Sequence, residues 1–379
     1  MKKKNPITEL SQRKKALLLA TLITLFSILI ESAKSEDNID FLLGGDVSFI
    51  LQMENAGFTY KVNGKPQDPF LILKNHGLNA IRLRLWHTPT NGFCNAEATL
   101  KMAKRLATHG FKLILNFHYS DTWADPAHQK KPAAWEHLSF PELKQEIFTY
   151  TSNFVAALVS QNTPPYIVQT GNEITPGFLW DDGNVGKFND ELHWRQFTEL
   201  LKSAINGVRS VKCPTKIYTM LHIDCGGNNA RSRWFFDNIE NYKVDYDVIG
   251  VSYYYWWHGT IDNLKTNISD LAQRYKKPVI VVETAHPWRL YNFQYPRGKN
   301  RIQPHPGYEA TPQGQKKFLT DLVDIVRNLP DTRGKGVIYW APEWVPTKGI
   351  RSNWGEVTLF DDNGEPLPAL EALDIKNYK

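Results

Sequence analysis

Pro278-Val279-Ile280-Val281-Val282-Glu283 is a run of β-branched apolar residues closed by a carboxylate. Short β-branched or aromatic runs of this kind recur from residue 42 onward, separated by longer stretches of helical period. That alternation is the signature of repeated βα units. Eight strands can be placed: Leu42–Val47, Ala80–Trp86, Phe111–His118, Tyr166–Gly171, Lys216–His222, Asp247–Tyr254, Pro278–Glu283 and Gly336–Trp340. With 379 residues, 42% of them hydrophobic, the chain can close one barrel and still carry long loops. The expected fold is therefore α/β, a (β/α)8 TIM barrel in a single catalytic domain.

Helix punctuation agrees with this scheme. Asp68 followed by Pro69 has the form of an N-cap and first helical residue, and Gly77 closes that helix. A second helix, near Ala96 to His109, ends at Gly110. Ser139-x-x-Glu142, with Pro141 in the first turn, is a capping box, and Thr311-Pro312 opens the last long helix. No low-complexity tract or short-period repeat sets off a second module. The longest irregular stretch, Pro287 to Gly307, follows the seventh strand, where loops rim the catalytic face of a barrel.

The first 35 residues differ from the rest. Six basic residues precede an apolar run from Ala16 to Ile30, and Ala33-Lys34-Ser35 offers a small-x-small cleavage site. This is a secretory signal pattern, too short for a comfortable membrane span, although an uncleaved anchor has the same outline. The expected division is a signal segment at 1–35 and a mature domain at 36–379, secreted or periplasmic. Cleavage there lowers the formal net charge from +6 to +1, so the basic balance belongs to the leader. It argues neither for nucleic acid nor for lasting membrane association. Cys94, Cys213 and Cys225 are too few and scattered for a disulfide scaffold or a zinc site; one Cys213–Cys225 bridge and three free thiols are both open.

Polar and aromatic residues gather at the C-terminal strand ends, where barrel enzymes place their chemistry. Arg82 and Arg84 lie in the second strand, His118 ends the third, Asn172 and Glu173 the fourth, Tyr254 the sixth, Glu283 the seventh and Trp340 the eighth. Glu173 and Glu283 each close an apolar strand, where a carboxylate is costly unless paired or functional. Glycoside hydrolysis uses two such groups: one protonates the leaving oxygen, and the other attacks the anomeric carbon when the pair is only about 5–5.5 Å apart. The expectation is Glu173 as acid/base and Glu283 as nucleophile. Repulsion from Glu283 would keep Glu173 protonated, and Arg82 would keep Glu283 ionised. Asn172 is placed to meet the sugar 2-OH, and Tyr254 to hold the second oxygen of Glu283. Trp86, Trp123, Trp256, Trp257, Trp340 and Trp344 fall at strand ends or in the loops beyond, and about half of them are expected to stack on sugar rings, the rest being core.

At this point the motifs resemble a known family. Asn116-Phe-His-Tyr-Ser-Asp-Thr-Trp-Ala-Asp-Pro126, Gly171-Asn-Glu173, Val282-Glu283-Thr284, Ile81-Arg-Leu-Arg-Leu-Trp86, Gly250-Val-Ser-Tyr-Tyr254 and Leu359-Phe-Asp-x-x-Gly364 are similar to those of glycoside hydrolase family 53, the arabinogalactan endo-β-1,4-galactanases. The resemblance implies a retaining barrel enzyme with its acid/base on strand four and its nucleophile on strand seven. Its substrate would be galactan side chains of pectin. Family binding positions fall on Arg82, His118, Asn172, His222, Tyr254 and Trp340, with no cofactor and a polysaccharide as partner; a monomer is expected.

Three departures accompany the match. Tyr255 and Trp256 stand where Pro and Phe are usual, and Tyr339-Trp-Ala-Pro-Glu-Trp344 moves an acidic group two positions to Glu343, which would alter product length or accessory specificity. Pro287 to Gly307 contains no aspartate, so the calcium site of bacterial members is expected to be absent, and no metal is expected. Asn267-Ile-Ser269 is a lone glycosylation sequon. Two other readings stay open: a barrel glycosidase acting on mannan, xylan or glucan, and a polysaccharide-binding barrel without turnover.

Overall fold

The computed structural model describes residues 39–290 and 302–378. The expected signal segment at 1–35, and the part of the loop after the seventh strand spanning 291–301, lie outside the described residues. Eight parallel strands close into a barrel: β1 (Leu42–Asp46), β2 (Ala80–Leu85), β3 (Lys112–Phe117), β4 (Ile167–Thr170), β5 (Tyr218–Ile223), β6 (Val248–Tyr253), β7 (Val279–Thr284) and β8 (Gly334–Trp340). Each strand pairs with its sequence neighbours, and β1 pairs with β8 to close the ring. Every residue of β7 is buried, as a strand with a barrel interior on one side and helices on the other requires. Gly44 lets β1 approach β2, since a Cβ there would lie 2.0 Å from the carbonyl oxygen of Ala80.

The long helices follow the strands: α1 (Pro69–Asn75), α2 (Ala96–Thr108), α3 (Phe140–Ser160), α4 (Glu191–Arg209), α5 (Asn229–Asn241), α6 (Ile261–Tyr275) and α7 (Pro312–Arg327). The starts of α1, α3 and α7 are those expected from sequence. Asp68 accepts from the amide of Phe70 at 2.7 Å, Glu142 accepts from the amide of Ser139 at 2.8 Å, and Thr311 accepts from that of Gly314 at 3.0 Å. No helix among the described residues is long and apolar enough to cross a membrane.

Two sequence features change meaning in the fold. The sequon residue Asn267 is fully buried in α6, and its Nδ2 donates to the carbonyls of Cys225 (2.8 Å) and Gly226 (2.9 Å), so the folded chain offers no acceptor there. All three cysteines are free thiols.

Candidate active site

The interior of the barrel is polar at its C-terminal end because successive strands place one polar side chain each at similar height. Asp46 lies opposite Arg82, Arg84 opposite Asn116, Asn116 opposite Gln169, and Ser252 opposite Glu283. Such a layer is tolerable in a closed sheet only if its members satisfy one another. Arg82 is the centre of that satisfaction. Its guanidinium is fully buried and donates to Asp46 (2.9 Å), Glu283 (2.8 Å), Gln169 (3.1 Å) and Asn172 (2.8 Å).

Glu283 sits inside β7 and is held at both oxygens, Oε1 by Arg82 and Oε2 by the hydroxyl of Tyr254 at 2.9 Å. Burial raises its pKa, and Arg82 and Tyr254 oppose that rise.

Glu173 is held differently. β4 ends at Thr170, and the chain then turns through Gly171 (φ 103°) to Glu173, itself left-handed at φ 49°. A non-glycine residue in that region costs on the order of 1–2 kcal/mol. The turn is pinned by its backbone: Gln129 donates to the carbonyl of Asn172 at 2.7 Å, and the amide of Ile174 donates to the carbonyl of His222 at 2.9 Å. The carboxyl is partly buried and accepts from Ser252 Oγ at 2.6 Å. Burial, then the charge of Glu283, then that of Asp224 hold its pKa well above the usual carboxylate range. The asymmetry of the pair is geometric: a guanidinium and a phenol donate to Glu283, which favours its ionised form, and a single neutral hydroxyl donates to Glu173.

The structure also locates the other sequence candidates. Asn172 is buried; its Oδ1 accepts from Arg82 and from Asn116 (3.0 Å), and its Nδ2 donates to the carbonyl of Ala124 at 2.8 Å, leaving one amide N–H. His118 Nδ1 accepts from Trp86 Nε1 (3.3 Å) and from the amide of Ala124 (3.0 Å), so the ring is a neutral Nε2–H donor, in line with a pKa pushed well down by burial. Arg82 and His222 have no exposed surface. Expected among the sugar contacts, they hydrogen-bond the groups around them, Arg82 to Glu283 and Asn172 and His222 to the amide of Glu173 and to Ser252.

Trp86 is buried edge-on to Trp123 (5.1 Å between centroids), whereas Trp123, Trp256, Trp340 and Trp344 are half-buried and Trp257 is 53% exposed. Trp344 stacks on Phe49 at 4.0 Å, and the Arg84 guanidinium lies 4.1 Å over Phe49 and 4.3 Å over Trp123. Glu343 does not reach the cleft. It is fully buried, accepts from the amide of Phe49 at 2.9 Å, and burial pushes its carboxyl up to about 8. The moved acidic group therefore supports an aromatic stack; it cannot touch a substrate.

Sequence reasoning missed Asp46, Asn116, Gln169 and Ser252 as parts of this network, although each sits in a strand at the barrel's polar end. It also missed Asp224, just beyond β5. Among the described residues no group of three or more His, Cys, Asp or Glu side chains is arranged to hold a metal.

Comparison with known proteins gives one answer. The description of glycosyl hydrolase family 53 matches residues 42–373. An uncharacterized protein in the bgaB 5′ region of Niallia circulans is 47% identical over 346 residues, covering 88% of this chain and 93% of that one. The arabinogalactan endo-β-1,4-galactanase of Cellvibrio japonicus is 37% identical over 361 residues, covering 92% and 93%. In structure the chain is similar to the Ignisphaera aggregans family 53 catalytic domain, with a TM-score of 0.81 and 34% identity over 89% of this chain and 97% of that one.

Proposed function

The chain belongs to glycosyl hydrolase family 53 and is an enzyme, and on that premise we propose that it is a retaining endo-β-1,4-galactanase that cuts internal bonds in galactan and arabinogalactan side chains of pectin. The observation that carries the proposal is the unlike treatment of two neighbouring carboxyls. Glu283 is anchored at both oxygens by Arg82 and Tyr254, and Glu173 has one hydroxyl partner and a pKa raised by burial and by the charge of Glu283.

In the first step the Glu173 carboxyl gives its proton to the glycosidic oxygen while a Glu283 oxygen bonds to the anomeric carbon and the carbon–oxygen bond to the leaving sugar breaks. This needs the two carboxyls about 5–5.5 Å apart. The Glu283 negative charge is consumed in the new ester, so the largest charge acting on Glu173 disappears and its pKa falls. Glu173, now a carboxylate, takes a proton from water as that water attacks the anomeric carbon and releases Glu283. Two inversions give net retention. The remaining N–H of Asn172 would meet the sugar 2-OH, and His118 would offer its Nε2–H to the sugar. Trp123, Trp257 and Trp340 would supply stacking faces.

We further propose that residues 1–35 are a secretory signal, that the mature enzyme is a monomer acting in the periplasm or outside the cell, and that it uses neither cofactor nor calcium. The test of the main claim compares reducing-sugar release from potato galactan, mannan, xylan and carboxymethyl-cellulose, with proton NMR of the first anomer formed. Galactan should be cleaved far faster than the others, and the β-anomer should appear first. Strong activity on another glycan removes the substrate assignment, and an initial α-anomer removes retention.

A further inference from the structure

A third carboxylate stands at the mouth of the barrel beside Glu173. Side chains two residues apart along a strand share a face, so Asp224, one residue past β5, points the same way as His222, which faces the barrel interior. The turn that carries Glu173 runs alongside this strand end. The amide of Glu173 donates to His222 Nδ1 at 3.3 Å, and the hydroxyl of Thr175 donates to Asp224 Oδ1. Asp224 is therefore in the layer directly above His222, on the Glu173 side of the mouth.

Its two oxygens are not equivalent. Oδ1 accepts from Thr175 and, at 3.5 Å, from the thiol of Cys225; Oδ2 has no hydrogen-bond partner among the described residues, and His258, the ionisable ring on which its charge acts, is held neutral by burial. The side chain is half-buried, so the free oxygen belongs to a carboxylate fixed at its other end. Asp125, the other carboxylate acting on Glu173 from outside the catalytic pair, contrasts with it: both oxygens lie 2.9 Å from His128 Nδ1, and Oδ1 also takes the amide of Ala127. Asp224 alone of the two is immobilised with an acceptor to spare.

We propose that Asp224 recognises the galactosyl unit that departs with the Glu173 proton, accepting a hydrogen bond at Oδ2 from a hydroxyl of that unit. The proposal rests on the galactanase reading given above. A β-1,4-linked galactosyl unit leaves through O4, and its O3 and O6 hydroxyls flank that oxygen. The group that protonates O4 is Glu173, so the leaving unit lies on the Glu173 side, where the ends of β4 and β5 meet. An ionised carboxylate is an acceptor only, and the flanking hydroxyls are donors. Asp224 is also one of the carboxylates that hold Glu173 in its acid form, with Glu283 from β7 and Asp125 from the loop after β3. Facing Glu173 as well are Ser252 and the un-ionised Tyr254 from the end of β6 and the neutral His222 from β5.

The test compares Asp224→Asn with the wild-type enzyme on galactan and on an aryl β-1,4-galactobioside, whose leaving group is a phenol. Asparagine keeps an acceptor for Thr175. Losing a charge-assisted hydrogen bond to the leaving sugar should lower kcat/KM on galactan by about tenfold, with less than about twofold loss on the aryl substrate, where no sugar departs. With one negative charge fewer near Glu173, the alkaline limb of kcat/KM should move to lower pH. Equal losses on both substrates with an unmoved limb would overturn the proposal and leave the galactanase assignment standing. A wild-type enzyme inert on galactan would overturn both. Should Asp224→Asn fail to fold, Thr175→Val, which frees Oδ1 from its anchor, must show the same galactan-selective loss in smaller measure, and an equal loss on both substrates again overturns the proposal.

Discussion

The two catalytic candidates occupy opposite kinds of structure. Glu283 lies within a wholly buried strand, and each of its oxygens has a dedicated donor. Glu173 lies three residues beyond the end of its strand, in a left-handed turn, and its carboxyl has one hydroxyl partner and three carboxylates acting on it. A nucleophile has to remain ionised and in one place, which a rigid strand and a buried arginine provide. An acid/base group has to change protonation twice in each turnover, so a second strong cation beside it would trap it as a carboxylate. In the polar layer the Arg82 guanidinium donates to Glu283, and among the described residues no cation donates to Glu173.

The comparison makes its largest claim about Glu283. Glu283→Ala removes the attacking atom and should lower kcat on galactan by at least about 10⁴-fold, for natural and aryl substrates alike, while galactan binding by affinity electrophoresis persists. A variant that retains measurable turnover on both substrates would place the nucleophile elsewhere. Glu173→Ala should cost about 10²–10⁴-fold on galactan, the usual worth of a general acid–base group, and much less in the first step on a phenol leaving group that needs no proton. Equal losses on both substrates would dissolve the distinction between the two sites.

How far this arrangement was legible in the sequence follows the range of the interactions. The strands and the caps at Asp68, Ser139 and Thr311 are decided by neighbouring residues, and they fall within a residue or two of where pattern alone put them. Glu283 stood out because four apolar β-branched residues precede it. The sequence put Glu173 at the end of its strand, but the positive φ of Gly171 breaks the strand first. Ser252 was invisible for a longer-range reason. Val251 pairs with Val281, yet Ser252 pairs with Glu283, a one-residue slip that brings the serine level with the carboxylates. Nothing within β6 announces that slip, since it is a property of two strands closing together. Glu343 was misread because its burial depends on Phe49, almost 300 positions away in the chain.

The smallest predicted effect concerns that serine, and it follows from a chain of hydrogen-bond directions. His222 Nδ1 receives the amide of Glu173 (3.3 Å) and lies 3.0 Å from Gln169 Nε2 and 3.2 Å from Asn172 Oδ1; that oxygen already accepts from Arg82 and Asn116, so the backbone donor decides and the ring proton is assigned to Nε2. That proton must then be given to Ser252 Oγ, 2.8 Å away, which leaves the serine hydroxyl to donate to Glu173 Oε1. Oε1 is thereby fixed as an acceptor in both protonation states, and the acidic proton is confined to Oε2. Ser252→Ala removes this direction. It should lower kcat/KM on galactan by about five- to tenfold, the worth of one ordinary hydrogen bond, since Glu173 is neutral when substrate binds. The serine favours the ionised carboxyl, so its loss raises the Glu173 pKa and should move the alkaline limb to higher pH, opposite to Asp224→Asn. A limb that moves down, or a loss as large as that of Glu173→Ala, would mean that Ser252 does something other than orient the proton.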